Sequence, residues 1–419
     1  MRLDNLHFVG QWRAGTRDVK HLVFHLGGYE PVTPAAFHRR FRRGLDRFQK
    51  TWSATASMSE LQLHEGEAFW RIVTSGPNWR AETDYRLIRW DDVIAAQSRQ
   101  PAWRRVPLGL GAFFDFVAGG ALRGYFRTNW RYAGFFLYPF LLFALFVAAA
   151  ALIGTFIGHA VGVIAGILAA VATLAVLTRW PGHRFYLWLA FDDWIFAKAY
   201  IAGDAPVLDR RLDHFARELI DAVRSGAADE IAIVGHSLGA VLAVDVLDRA
   251  FRREPRLAEG KSRLVLLTVG SSILKIALHR RATAFRAALA RVAAAPGLFW
   301  AEYQALTDVM NFCKTDPVTA CGLPKTGSPF VRIVRFREML DPASYRRLRR
   351  SFFRMHRQFV SGNERRAPYD FFMLTCGPLA FEWQVRSEFG AAPAIGPDGA
   401  LLDAPERGPQ ERPACAVRS

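Results

Sequence analysis

EIAIVGHSLGAVLAVDVLDRAF, Glu230 to Phe251, joins a strand to a helix through two glycines that flank a serine. EIAIV, Glu230 to Val234, is apolar without alternation after its first residue, as a short strand buried on both faces requires. Ser237 opens a helical run that extends to about Phe251. Between them Gly235-His236-Ser237-Leu238-Gly239 fits the pattern G-x-S-x-G. The glycines let the chain turn sharply and leave the serine hydroxyl exposed. The helix N-terminus below it favours negative charge developing nearby. The plain alternative is a small-residue turn at a helix cap, where serine is also at home.

The same rhythm extends in both directions. Upstream, DVKHLVFHL, Asp18 to Leu26, reads as a buried strand that runs into Gly27-Gly28. Residues 34–50 form a basic helix with Phe37, Phe41, Leu45 and Phe48 on its apolar face. Strands follow at 68–74 and at Tyr85–Trp90. Downstream of an insertion, Leu212–Val223 is an amphipathic helix. After Phe251 come a strand at Arg263–Val269, a helical segment at 279–294, and strands at Val309–Phe312 and Phe330–Phe336. Strands alternating with helices of this length predict an α/β fold, a mostly parallel sheet covered by helices on both faces. From about 391 the chain is rich in Pro, Gly and charge, and a disordered tail is expected over 391–419.

The insertion, 98–205, contains 47 consecutive residues without Asp, Glu, Lys or Arg, Tyr132 to Thr178. One bilayer crossing takes about 20 apolar residues, so two crossings fit, near 133–153 and 159–178, turning around Gly154–Gly158. A single helix of that length would reach about 70 Å, far beyond the hydrocarbon core. Gly158, Gly162 and Gly166 recur on one helical face and would allow close helix packing. Arg123, Arg127 and Arg131 precede the first span, Arg179 and Arg184 follow the second, and the turn carries no basic residue. The positive-inside rule puts both flanks in the cytoplasm, and the Ala/Arg-rich composition suggests a bacterial inner membrane. A hairpin returns the chain to the side it left, so the segments before and after it can share one cytoplasmic body.

The formal charge is +17, with 55 Lys+Arg against 38 Asp+Glu. Such an excess suits nucleic acid or an anionic membrane. Zinc-finger spacing is absent and the arginines are not interleaved with polar aromatics, which disfavours nucleic acid. Cys313, Cys321, Cys376 and Cys415 form no CxxC pair and read as free thiols. MRLDNLHFVGQW, at the start of the sequence, has no apolar core of the kind a cleaved signal peptide needs.

With G-x-S-x-G placed between EIAIV and its helix, the sequence resembles the α/β-hydrolase superfamily, particularly its lipase and esterase members. The resemblance covers about 18–95 and 205–390, so residues 1–97 and 206–390 would form one hydrolase domain interrupted by the membrane insertion. It implies a Ser-His-Asp triad in which an acid and then a histidine follow the serine, Ser237, as nucleophile. Asp316, in NFCKTDPV after the expected strand 309–312, is the acid expected; Asp308, the runner-up, precedes that strand and would lie at the wrong end of the sheet. Two histidines follow Ser237 in the chain. His279 precedes either acid, so His356 is the expected base, and His236 would pack beside the nucleophile. Oxyanion donors are expected from Leu238 N–H and from the HLGGY loop after the first strand, at Gly28 or Tyr29.

Two-step ester hydrolysis through an acyl-enzyme follows from such a triad, with neither metal nor cofactor required. The lipid bilayer is the expected partner, and a long-chain or lipid ester the expected substrate, which would place the protein in lipid metabolism. Thioesters and amides use the same groups. A non-catalytic membrane scaffold on a hydrolase fold and an acyltransferase remain the alternatives, and the sequence leaves the oligomeric state open.

Overall fold

Alternation within single strands sets the layers. In the computed structural model, which describes residues 17–402, strand β6 (Glu230–His236) sends Ile231 and Ile233 into one core and Ala232 and Val234 into the other. Strand β7 (Arg263–Val269) does the same with Leu264 and Leu266 against Val265 and Leu267. Successive side chains point to opposite faces of a strand, so a strand apolar at every position demands cover on both sides.

The remaining strands are β1 (Arg17–Leu26), β2 (Thr55–Met58), β3 (Gln62–His64), β4 (Glu67–Gly76), β5 (Trp79–Ile88), β8 (Phe299–Ala305) and β9 (Phe330–Val334). They form a nine-stranded sheet of order β2-β4-β5-β1-β6-β7-β8-β9, with β3 also on β4. From β5 to β9 neighbours run parallel; β4 is antiparallel to β5, and β2 and β3 are antiparallel to β4. The expected α/β architecture, a largely parallel sheet covered on both faces and interrupted by a membrane-length hairpin, is the one observed.

Topology fixes where a site can form. After β1 the chain goes to one side of it, through α1 (Pro34–Trp52) to β5, and later returns on its other side as β6. At such a reversal the loops leaving two adjacent strands diverge and open a crevice at their carboxyl ends. Leu26, the last residue of β1, is in register with Gly235 of β6, so Gly27-Gly28 and Ser237 emerge side by side.

Between β5 and β6 lie α2 (Ala102–Ala118), α3 (Ala121–Thr128), α4 (Trp130–Val161), α5 (Val163–Arg179), α6 (Leu187–Ala202) and α7 (Pro206–Ser225). Trp130–Val161 and Val163–Arg184 are each long and apolar enough to cross a membrane. Two details differ from expectation. The turn falls at Gly162, which has φ +119°, and not at Gly154–Gly158, because the first helix runs on to Val161. Its first turns are also not lipid-facing: Tyr132, Ala133, Phe135, Phe136 and Phe140 are buried in the protein, and after Trp130 the next strongly exposed apolar residue is Leu141. At 1.5 Å per residue this 32-residue helix spans about 48 Å, enough to root in the protein and still cross a hydrocarbon layer of about 30 Å. Small residues do line the contact within the hairpin. A Cβ on Gly166 would lie 2.5 Å from Gly154 O, and one on Gly154 2.7 Å from Ala170 Cβ.

One buried ion pair braces the insertion internally and a second ties it to the rest. Arg105 of α2 meets Asp192 of α6, and Lys275, after β7, meets Asp193 at 2.6 Å with its Nζ 4.0 Å above the Trp194 ring. At the far end of the chain, residues 391–402 are packed where disorder was expected. Ile395 and Leu401 are buried and bridged, and Trp79 Nε1 donates to Gly399 O at 2.8 Å. The rest of that stretch, 403–419, lies outside the described residues, as do residues 1–16.

Candidate functional site

Ser237 follows β6 directly and adopts φ +56°, a left-handed conformation rare for a residue with a side chain. Its N–H donates to Val269 O at 3.1 Å, and its carbonyl accepts from Ser272 N–H at 3.1 Å, so bonds to the segment after β7 hold the strained turn. Both glycines of the motif are required by close approach. A Cβ on residue 239 would lie 1.9 Å from Leu26 O, and one on residue 235 would lie 2.5 Å from Ala240 Cα. Helix α8 (Gly239–Arg253) begins immediately afterwards. Gly28 approaches from β1: a Cβ there would sit 2.8 Å from Ser237 Cβ and 3.3 Å from its Oγ. Among the described residues no protein acceptor takes the N–H of Gly28, Tyr29 or Leu238.

His356 ends the short helix Phe352–His356 and is buried. Its Nδ1 is 2.7 Å from Asp308 Oδ2, and its Nε2 is buried without a hydrogen-bond partner. An Nδ1–H donated to the carboxylate leaves the lone pair on Nε2. Ser237 and His356 flank the same turn: Ser237 bonds to Val269, and a Cβ on Gly270 would lie 3.0 Å from His356 Cε1. His236 packs beside this pair with ring centroids 4.7 Å apart, donating Nε2–H to His356 O at 3.2 Å. Burial, with the neighbouring His356 second, holds His236 well below the usual histidine range, so it stays neutral. His279 lies elsewhere, paired with Asp115 of α2.

The carboxylate on His356 belongs to Asp308, not Asp316. The strand in this region is β8, Phe299–Ala305, whereas 309–312 is a turn; Asp308 therefore follows a strand at its carboxyl end. Asp308 Oδ1 accepts from Met310 N–H at 2.9 Å. Asn311 braces the loop, bonding Ala305 through both side-chain atoms and Asp308 O through Nδ2. Asp316 instead accepts from Val318 and Thr319 N–H, an Asx-Pro turn and no more. Glu302 and Gln304 interrupt the apolar run of β8, so this strand does not stand out in the sequence. Both are buried there, Glu302 with Thr268 and Ser271 and Gln304 with Thr315. Burial pushes the Glu302 carboxyl up to about 7.

A further clasp escaped the sequence reading. Glu30, next to the Gly28-Tyr29 loop, accepts from Arg40 at 3.0 Å and from Arg357, the residue after His356, at 2.8 Å. It joins the two loops that border Ser237, and no motif marks it.

No family model, curated protein or solved structure matches the chain.

The architecture is therefore what can be compared. It is α/β-hydrolase-like, with a two-helix insert of membrane length. The insert also touches the candidate site. Tyr132 of α4 stacks on Phe312 at 3.9 Å, Asn129 Nδ2 donates to Asn311 O, and Arg131 donates to Leu306 O. Phe352, four residues before His356, packs on Phe135, Tyr138 and Tyr186. The Asp308 loop and the His356 segment thus both lean on the base of the hairpin.

Proposed function

We propose that the protein is a membrane-anchored serine hydrolase that cleaves a lipid or other long-chain ester, with Ser237 as nucleophile, His356 as base and Asp308 as the acid that orients it. The observation that carries this reading is the bond from His356 Nδ1 to the buried Asp308, which aligns the imidazole beside the turn holding Ser237. In the reaction, Ser237 Oγ attacks the acyl carbonyl while His356 Nε2 accepts its proton. The oxyanion takes hydrogen bonds from Leu238 N–H and from Gly28 or Tyr29 N–H. The alcohol leaves with the proton from His356, and water activated by the same imidazole then releases the acid from the acyl-enzyme. Asp308 steadies the charged imidazolium during both steps.

Support for an apolar substrate comes from the hairpin base, because the loops carrying Asp308 and His356 rest where the chain enters the bilayer. The basic flanks favour a cytoplasmic catalytic body at the inner membrane. The test is hydrolysis of glycerol esters of increasing acyl length by protein reconstituted in nanodiscs. Turnover should rise with chain length and vanish in folded Ser237→Ala. Undiminished turnover by that variant would refute the nucleophile, and a preference for short, water-soluble esters would refute the substrate class.

A further inference from the structure

Helix α2 is apolar on the side that faces away from the protein. Its inner face, Arg105, Gly109, Ala112 and Phe116, is buried, with Arg105 on Asp192 and Gly109 against Phe191. The outer line runs through Trp103, Pro107, Leu110, Phe114 and Val117, spaced four, three, four and three, and carries no charge. Trp103 is 69% exposed and Phe114 64%. A helix lying on a protein in water presents polar residues outward; this one presents tryptophan and phenylalanine. After a bend of 67° α3 continues the surface with exposed Phe126, and exposed Trp130 follows it.

The position of α2 along the hairpin tells what covers this surface. Phe113 packs on Phe136 and Phe140 of α4, with ring centroids 5.5 and 4.6 Å apart. Those rings lie just before Leu141, the first strongly exposed apolar residue of that helix after Trp130. Exposed Arg104, Arg123, Arg127 and Arg131 border the apolar line, with Arg104 above the Trp103 ring and Arg131 above that of Trp130. The one acid of α2, Asp115, is taken up by His279 and Arg281. Aromatic rings with snorkelling arginines suit the headgroup level of an anionic bilayer. The same arginines would repel one another across a symmetric contact with a second copy of the chain.

We propose that α2 and α3 form an in-plane foot that beds its Trp103–Phe114–Phe126 surface into the headgroup–acyl boundary of the membrane the hairpin crosses. With its inner face held by protein, α2 lies in the interface and does not span it. The inference rests on the hairpin's being in a bilayer and is independent of the chemistry at Ser237.

Photoreactive p-benzoyl-phenylalanine in place of Phe114, Trp103 or Phe126, one at a time, tests it in the full-length protein. The protein is reconstituted in vesicles of phosphatidylethanolamine and phosphatidylglycerol, irradiated, and weighed by mass spectrometry. The probe at Leu152 of the hairpin, 73% exposed, is the positive control; at Leu63 on the sheet edge, 58% exposed, it is the negative one. Lipid adducts at all three foot positions and at 152, with none at 63, are expected. Adducts at 152 without any on the foot would overturn the proposal. So would chain-to-chain cross-links from the foot, which would make it an interface between copies. Because the replaced side chains are exposed, folding is retained, and the adduct at 152 confirms insertion in the same preparation.

Discussion

A single carboxylate shows how far residue identity alone can carry a site. Asp308 and Asp316 are eight positions apart, and both follow apolar sequence. Only the burial of Glu302 and Gln304 inside β8 reveals which of them leaves the end of a strand. A strand with two polar residues turned into a hydrogen-bonded interior loses the apolar run by which buried strands are read. The turn at Ser237 needed no such help, since its two glycines stand between a clear strand and a clear helix. The exchange of acids has a kinetic consequence. Asp308→Asn should retain the fold and lower kcat by on the order of 10³–10⁴-fold, since an amide cannot hold the imidazole in its productive tautomer. Asp316→Asn should leave kcat within about twofold of the wild type, as its carboxylate accepts only from the backbone of its own turn. Steady-state kinetics on a chromogenic ester separates the two; equal losses, or the reverse order, would return the acid to Asp316.

At the scale of elements, long periodic segments were readable and short or irregular ones were not. β1, β7 and α1 lie within a few residues of where their patterns put them, and the hairpin was evident from its absence of charge. The edge strands β2 and β3 escaped because three or four residues carry too little pattern. α2 escaped because it inverts the usual pattern, with apolar Trp103 and Phe114 outward and the charged Arg105 inward. The elements beside the site also carry buried acids with consequences for stability. Glu302 of β8 has its folded-state value raised by burial to about 7 from an ordinary 4.5. Between those limits the unfolded chain ionises while the folded one keeps its proton. This group therefore makes stability fall as pH rises through that window and contributes no further slope above it. Glu302→Gln, which keeps the bonds to Thr268 and Ser271 within reach, should gain stability relative to wild type from about pH 5 to 7, by a few kcal/mol at most. Thermal unfolding in detergent at both pH values measures the difference; a difference independent of pH would show that Glu302 ionises alike in both states.

For the molecule as a whole, the insertion and the sheet are one structure. Lys275–Asp193 locks the membrane insert to the α/β body, while Tyr132, Phe135 and Tyr138 support the loops that hold Asp308 and His356. The sequence showed that an insertion existed but not that its base would brace the site, because those contacts join residues far apart in the chain. Everything in the functional account nevertheless depends on an activated hydroxyl at position 237. The most direct measurement is covalent labelling of the full-length protein in nanodiscs by a fluorophosphonate, with the modified peptide identified by mass spectrometry. The account predicts one adduct, on Ser237, absent from a Ser237→Ala protein that unfolds at the wild-type temperature. A folded wild type left unlabelled beside a serine hydrolase that labels in the same tube, or labelled at another residue, would contradict it.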